Sequence, residues 1–353
     1  MARLAVSALI GAVLWVFSAL SPAAAQHPLF ADDSELPVVL DAPLTTLLRT
    51  AARNTDPHPA VFTLTPPNSA AERFDIQLSA RGVSRRTGDI CNFPPLRLDF
   101  DVTRGTYMRG QNRVKLVTRC RVGSSYEQFI VLEYLAYRLY NEITPRSFRV
   151  RPLRLTYRDT EGRRREETQF NFVIEDVDDV ARRNERMVAL DLQMGEISSV
   201  NLDPAAAARY ALFQYMIGNL DWDMALGRRG EECCHNSKVI AVNAETRTNL
   251  TPVPYDFDYS GLVNAPYALP PASINIRSVR TRVFRGYCRH NDELPAAVEH
   301  FRSRRAALLA VIDSEQRLSA SARTDVRNYI ESFFAVIDDP RRVQRDIVER
   351  CRG

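Results

Sequence analysis

Lysine is nearly missing from this 353-residue chain: of 47 basic side chains, only Lys115 and Lys238 are lysines. Surface ion pairs seldom demand one cation over the other, so most of that bias reflects base composition. Each lysine that remains therefore invites a chemical reason. Glycine is sparse too, 14 residues against 20 prolines, which leaves few flexible linkers. An excess of one charge is also lacking, since 43 acidic residues hold the formal net charge to +4. A dedicated nucleic-acid binder would carry a larger or more clustered basic excess, so no nucleic-acid partner is expected. Beyond the first 25 residues no apolar run reaches membrane-spanning length. What is present, 45% hydrophobic and 25% charged residues, is the balance of a globular chain with one large or two ordinary domains.

The N-terminus carries Arg3, an apolar stretch from Leu4 to Leu20, then Pro22 and Ala23-Ala24-Ala25. A charged start, an apolar middle and a small-residue exit form the pattern of a cleaved secretory signal over residues 1–25. The mature chain is then expected to be secreted or periplasmic, with no membrane span after cleavage. All six cysteines, Cys91, Cys120, Cys233, Cys234, Cys288 and Cys351, fall in that mature part. An even number in an exported chain points to disulfides. Cys233 and Cys234 are adjacent, and the usual Cα separation across a disulfide exceeds that of neighbours, so each is expected to pair elsewhere. A rival zinc site from Cys233, Cys234, His235 and His290 lacks the two-residue gap usual between such ligands.

Residues 26–175 read as β-rich. Short runs (PVVL, AVFTL, FDIQLSARG, LRLDF, RVKLVTRC) are broken by Pro, Asn and Asp clusters, with a short helical stretch near Thr45 to Arg53. Phe129, Leu132, Ala136, Leu139, Tyr140 and Ile143 recur at helical spacing and Pro145 ends the run. Glu133 falls on or beside that apolar face, where a carboxylate needs a cation or a route to water. SFRVRPLRLTY and ETQFNFVIED read as two further strands. Residues 176–353 are helix-rich: Asp203 and Pro204 open a helix that Gly218 closes, and 295–350 are nearly all helical.

Two loops gather polar side chains. One holds Asn219, Asp221 and Asp223 and runs on to His235-Asn236; the other holds Asp256 and Asp258 after a strand. Mg²⁺ takes one or two protein carboxylates plus substrate phosphates, and a further carboxylate can accept the proton of a hydroxyl nucleophile. With RGVSRR, EYLAYRLYNEITPRSFRVR, FNFVIEDVD, NLDWD, CCHN and PYDFDYSG, the chain resembles the CotH-type spore-coat kinase family from about Arg81 to Gly261. It also resembles a group of exported bacterial proteins that share the paired cysteines before His-Asn.

The resemblance implies an α+β, bilobal, atypical protein-kinase-like fold. Its first lobe is a mainly antiparallel sheet with one packed helix, and its second lobe is helix-rich. It implies ATP and Mg²⁺ or Mn²⁺ as cofactors and a hydroxyl-bearing protein or small molecule as phosphoryl acceptor. Asp221, or Asp223 across Trp222, then receives the acceptor hydroxyl. Asn236 and Asp256, with Asp258 beside them, hold the metal. Lys115 binds phosphate with Glu133 as its carboxylate partner, and Glu175 to Val177 flank the adenine. Where the family often has a lysine this chain has Phe93-Pro94-Pro95, and RGVSRRTG offers only Gly82 and Gly88 in place of a glycine-rich loop. Arg81 or Arg97 could then stand in on the phosphates, or catalysis could be lost. Two other readings therefore stand beside the kinase. One is a disulfide-stapled pseudokinase serving as an envelope binding module. The other is a metal-dependent phosphoesterase built on Asp221, Asp256 and Asp258.

Overall fold

The computed structural model describes residues 27–185, 187–227 and 232–353. The signal sequence expected over 1–25 lies outside the described residues. No helix among those described is long and apolar enough to cross a membrane.

Seven strands form a closed barrel: β1 (Leu36–Ala42), β2 (His58–Leu64), β3 (Glu72–Ala80), β4 (Leu96–Phe100), β5 (Arg113–Val117), β6 (Val150–Asp159) and β7 (Glu167–Ile174), in the order β1-β2-β3-β4-β5-β7-β6. Every pairing is antiparallel except the closing one, where β1 runs parallel to β6 from Leu36↔Leu153 to Ala42↔Asp159. The closed barrel overturns the expected bilobal kinase-like fold, although its strands are mainly antiparallel. The physical reason is alternation: Leu36, Val38, Leu40 and Ala42 point into the same core as Leu153 and Leu155, so β1 completes the wall and removes both sheet edges. Phe62, Phe74 and Phe100 meet edge to face inside, which makes the barrel a packed core and not a channel.

The helix α1 (Leu44–Thr50) follows β1, and α2 (Ser124–Ile143) lies against the outer face of β6 and β7. β7 is therefore buried on both sides, Val173 inside the barrel and Phe170, Phe172 and Ile174 against α2. Beyond it come α3 (Val177–Arg183), β8 (Val188–Leu190), α4 (Pro204–Ile217), β9 (Ser237–Ala241) and β10 (Thr251–Pro254). The last three strands form a small antiparallel sheet in the order β10-β9-β8. The chain ends in α5 (Leu294–Ser314), α6 (Ala320–Ile337) and α7 (Pro340–Asp346).

Three disulfides tie the irregular parts. Cys91–Cys120 fastens the segment after β3 to the end of β5, and Cys288–Cys351 brings the C-terminus back to the core. Cys233 and Cys234 pair with each other, against the expectation of separate partners. The peptide between them is cis and their Cα atoms lie 3.0 Å apart, closer than a trans peptide allows. The zinc alternative is not assembled either, since His290 Nε2 contacts the Ser199 carbonyl at 3.1 Å.

Candidate functional site

The outer face of the barrel carries the residues that alternate with its core. Arg97 of β4 and Lys115 of β5 are cross-strand neighbours, and with Arg113 they form a stripe in which Asp99 pairs with both arginines, at 2.8 and 2.7 Å. The small sheet stands opposite. There Ser237 pairs with Pro254, so antiparallel register brings Asn236, just before β9, close to Asp256, just after β10. The Tyr255 N–H donates to the Asn236 carbonyl at 3.1 Å, joining the two ends. Asn236 (φ +51°) and Asp256 (φ +63°) both occupy the left-handed region, which Asn and Asp tolerate better than other side chains. Between stripe and sheet lies a cavity of about 560 Å³, a volume ordinary for a small-molecule site.

Asp221 lines this cavity and Asp223 does not. The loop after α4 is shaped by Gly218, which caps the helix at φ +64° and where a Cβ would come within 2.1 Å of the Tyr329 hydroxyl. Asn219 Oδ1 then accepts from the Asp221 N–H (3.0 Å), and the Trp222 indole donates to the Asn219 carbonyl (2.8 Å). Trp222 is buried, and the aspartates on either side of it face apart. The Asp221 carboxylate meets His235 Nε2 at 2.9 Å and accepts from Asn236 Nδ2 at 3.1 Å. Asp223 accepts from the Ala225 and Leu226 N–H groups, the Tyr287 hydroxyl and Arg352 Nη1, the last at 2.7 Å. Its role is to hold the loop to the C-terminal segment.

Lys115 lies over the Tyr255 ring, 4.2 Å from its centroid. Burial, then the charges of Arg81 and Lys238, lowers its pKa to about 7. Glu133 does not meet Lys115. It is 2% exposed, and the cation beside it is Arg85, whose Nη1 is 3.9 Å from Glu133 Oε2 and 3.5 Å from Asp258 Oδ2. Burial, then Asp258, holds Glu133 well above the usual carboxylate range, and burial, then Asp256, raises Asp258 to about 7. Asp258 is thus committed to Arg85, which leaves Asn236 and Asp256 as the candidate metal ligands. Glu175 lines the cavity while its carboxylate is held by Arg183, both contacts 2.9 Å, and by the Arg149 N–H. Arg81 and Arg97 line the cavity as well.

Two further residues belong here, of which Arg85 carries no signal in the sequence. Arg85 sits within RGVSRR but has no spacing signal, because its partners lie on α2 and after β10. Lys238 lines the cavity too, so both lysines of the chain converge on one site. Among the described residues no three His, Cys, Asp or Glu side chains gather to hold a cation by themselves. A Mg²⁺ or Mn²⁺ on Asn236 and Asp256 would complete its shell with phosphate oxygens and water, a normal arrangement for these ions.

In comparison with known proteins, the chain matches no family model and no curated sequence.

Proposed function

We propose that this cavity is the site of a metal-dependent phosphotransferase that takes a nucleoside triphosphate, with ATP as the first candidate, and passes its terminal phosphoryl group to a hydroxyl. The convergence of Lys115 and Lys238 carries the proposal. In a chain that uses arginine almost everywhere else, both lysines line one cavity, Lys115 on the barrel wall and Lys238 on the small sheet beside Asn236 and Asp256. Cations set among carboxylate and amide oxygens suit a polyphosphate bridged by a divalent cation, because the cations neutralise the phosphates and the oxygens ligate the metal. Phosphoryl transfer depends mainly on positioning and charge neutralisation, which such a cavity can supply.

Asp221 would receive the acceptor proton, with His235 and Asn236 fixing its carboxylate. Asn236 and Asp256 would hold Mg²⁺ or Mn²⁺, which when bound withdraws charge from the phosphate oxygens. The likeness to the CotH-type family rests on these same side chains, and we propose membership on the site residues alone. Export to the periplasm or cell exterior belongs to the same proposal, and the disulfides are compatible with it.

The test is Asp221→Asn. Formation of ADP from ATP with Mn²⁺ is expected to fall by about 10²-fold or more, the usual worth of a positioned base, while the ATP-induced rise in melting temperature stays as in the parent. Full turnover in the Asp221→Asn variant would overturn the assignment of the base.

A further inference from the structure

A second, smaller cavity also borders Asp221. It measures about 160 Å³ and is walled by Leu220, Leu269, Pro271 and Val279, with Gly218 beside them. Among the described residues, Asp221 is its one charged side chain and Tyr259 its one other polar side chain, and these same two residues also line the larger cavity. Asp221 therefore borders both spaces. An apolar cavity of about 150 Å³ accepts one benzene ring. A sugar or a polar amide would leave its own hydroxyls and N–H groups unpaired against Leu220, Leu269 and Val279, which costs free energy that an aromatic ring avoids. Leu269 is 73% exposed, so a ring can reach the recess from solvent across an apolar rim.

We infer that this recess is the acceptor subsite and that the acceptor is a phenol, its ring in the recess and its hydroxyl on Asp221. The inference rests on the phosphotransferase reading above. In the step, Asp221 takes the phenolic proton and the oxygen forms a bond to the terminal phosphorus of the nucleoside triphosphate. The bond from that phosphorus to the bridging oxygen breaks, and its electron pair leaves on the diphosphate. The products are an aryl phosphate, a nucleoside diphosphate and the proton that Asp221 later releases to water. A phenol loses its proton near pH 10, far more readily than an aliphatic alcohol, which suits a carboxylate base.

The experiment presents the oxidised protein, with ATP and Mn²⁺, to N-acetyltyrosinamide, p-cresol, N-acetylserinamide and methyl glucoside. At least one phenol is expected to show a kcat/KM ten or more times that of the serine amide and the glucoside. Preference for the tyrosine amide would identify a peptide source, and preference for p-cresol a free phenol. Leu269→Trp, which fills the rim, is expected to raise the KM for the phenol at least tenfold and to leave the ATP-dependent melting shift unchanged; Leu269→Ala should raise KM less. Equal or better use of the aliphatic hydroxyls overturns the inference. So does the absence of phenol phosphorylation in a protein that still binds ATP, or a KM indifferent to Leu269→Trp. Absence of the ATP-dependent shift in the parent protein would instead overturn the phosphotransferase reading on which this one stands.

Discussion

Trp222 stands between two aspartates whose surroundings assign them opposite tasks. Asp223 accepts four hydrogen bonds, one of them from its ion-pair partner Arg352, so Asp223→Ala should destabilise the protein by roughly 3 kcal/mol, read as a fall in denaturant midpoint. Asp221→Asn should leave that midpoint nearly unchanged, because His235 and Asn236 can still bond to the amide. Equal losses in the two variants would contradict the division. The sequence displayed both residues and the alternation across Trp222, but the partner that decides between them, Arg352, lies 129 positions away. The rarity of lysine was legible from composition; that Lys238 joins Lys115 in one cavity was not, since it depends on where the β9-β10 pair sits in the fold. Arg85 was hidden for the same reason, its partners being Thr118, Glu133 and Asp258 on three separate segments.

At the scale of elements, Arg85 connects the loop after β3 to α2 and to the turn after β10. Removing its charge leaves Glu133 and Asp258 buried without a cation, a change that usually costs about 3–5 kcal/mol. Arg85→Met should therefore lose stability strongly at pH 8. It should recover part of the loss at pH 5, where the two carboxyls can be protonated; equal losses at both pH values would exclude this role. The barrel strands themselves were readable from alternation and breaker residues, while the short β8 was not. Closure of the barrel was not, because β1 and β6 are joined in parallel across more than a hundred residues, and alternation says which face is apolar without saying which strand lies alongside. Cys233 and Cys234 failed in the opposite direction: the expectation assumed a trans peptide, and the chain uses cis.

For the whole molecule, the buried ionisable groups set the course of stability with pH. Asp258 is raised from 3.8 to about 7, and Glu133 and Asp176 shift the same way, by burial first in each case. Between those values the folded state holds protons that the unfolded chain has released, so stability falls as pH rises toward 7. Lys115, lowered from 10.5 to about 7, is neutral in the folded state over a range where the unfolded chain keeps its proton, so stability rises again above 7. These groups together predict a shallow minimum in melting temperature near neutrality. Asp258→Asn should flatten its acid limb and Lys115→Met its alkaline limb; a maximum at pH 7 that both variants leave in place would refute this origin. A polyphosphate beside Lys115 would favour its charged form, so nucleotide and metal binding bears on the site itself. The decisive measurement is the melting temperature of the oxidised protein with and without ATP and Mn²⁺, made alongside Asp256→Asn, a substitution that keeps the left-handed backbone tolerable and removes the charge. At a free ligand concentration about 100 times Kd, binding should add about 2.7 kcal/mol. A metal-dependent rise is expected in the parent protein and its loss in Asp256→Asn; no rise at any nucleotide or metal concentration, or the same rise in both proteins, would rule out a nucleotide–metal site here.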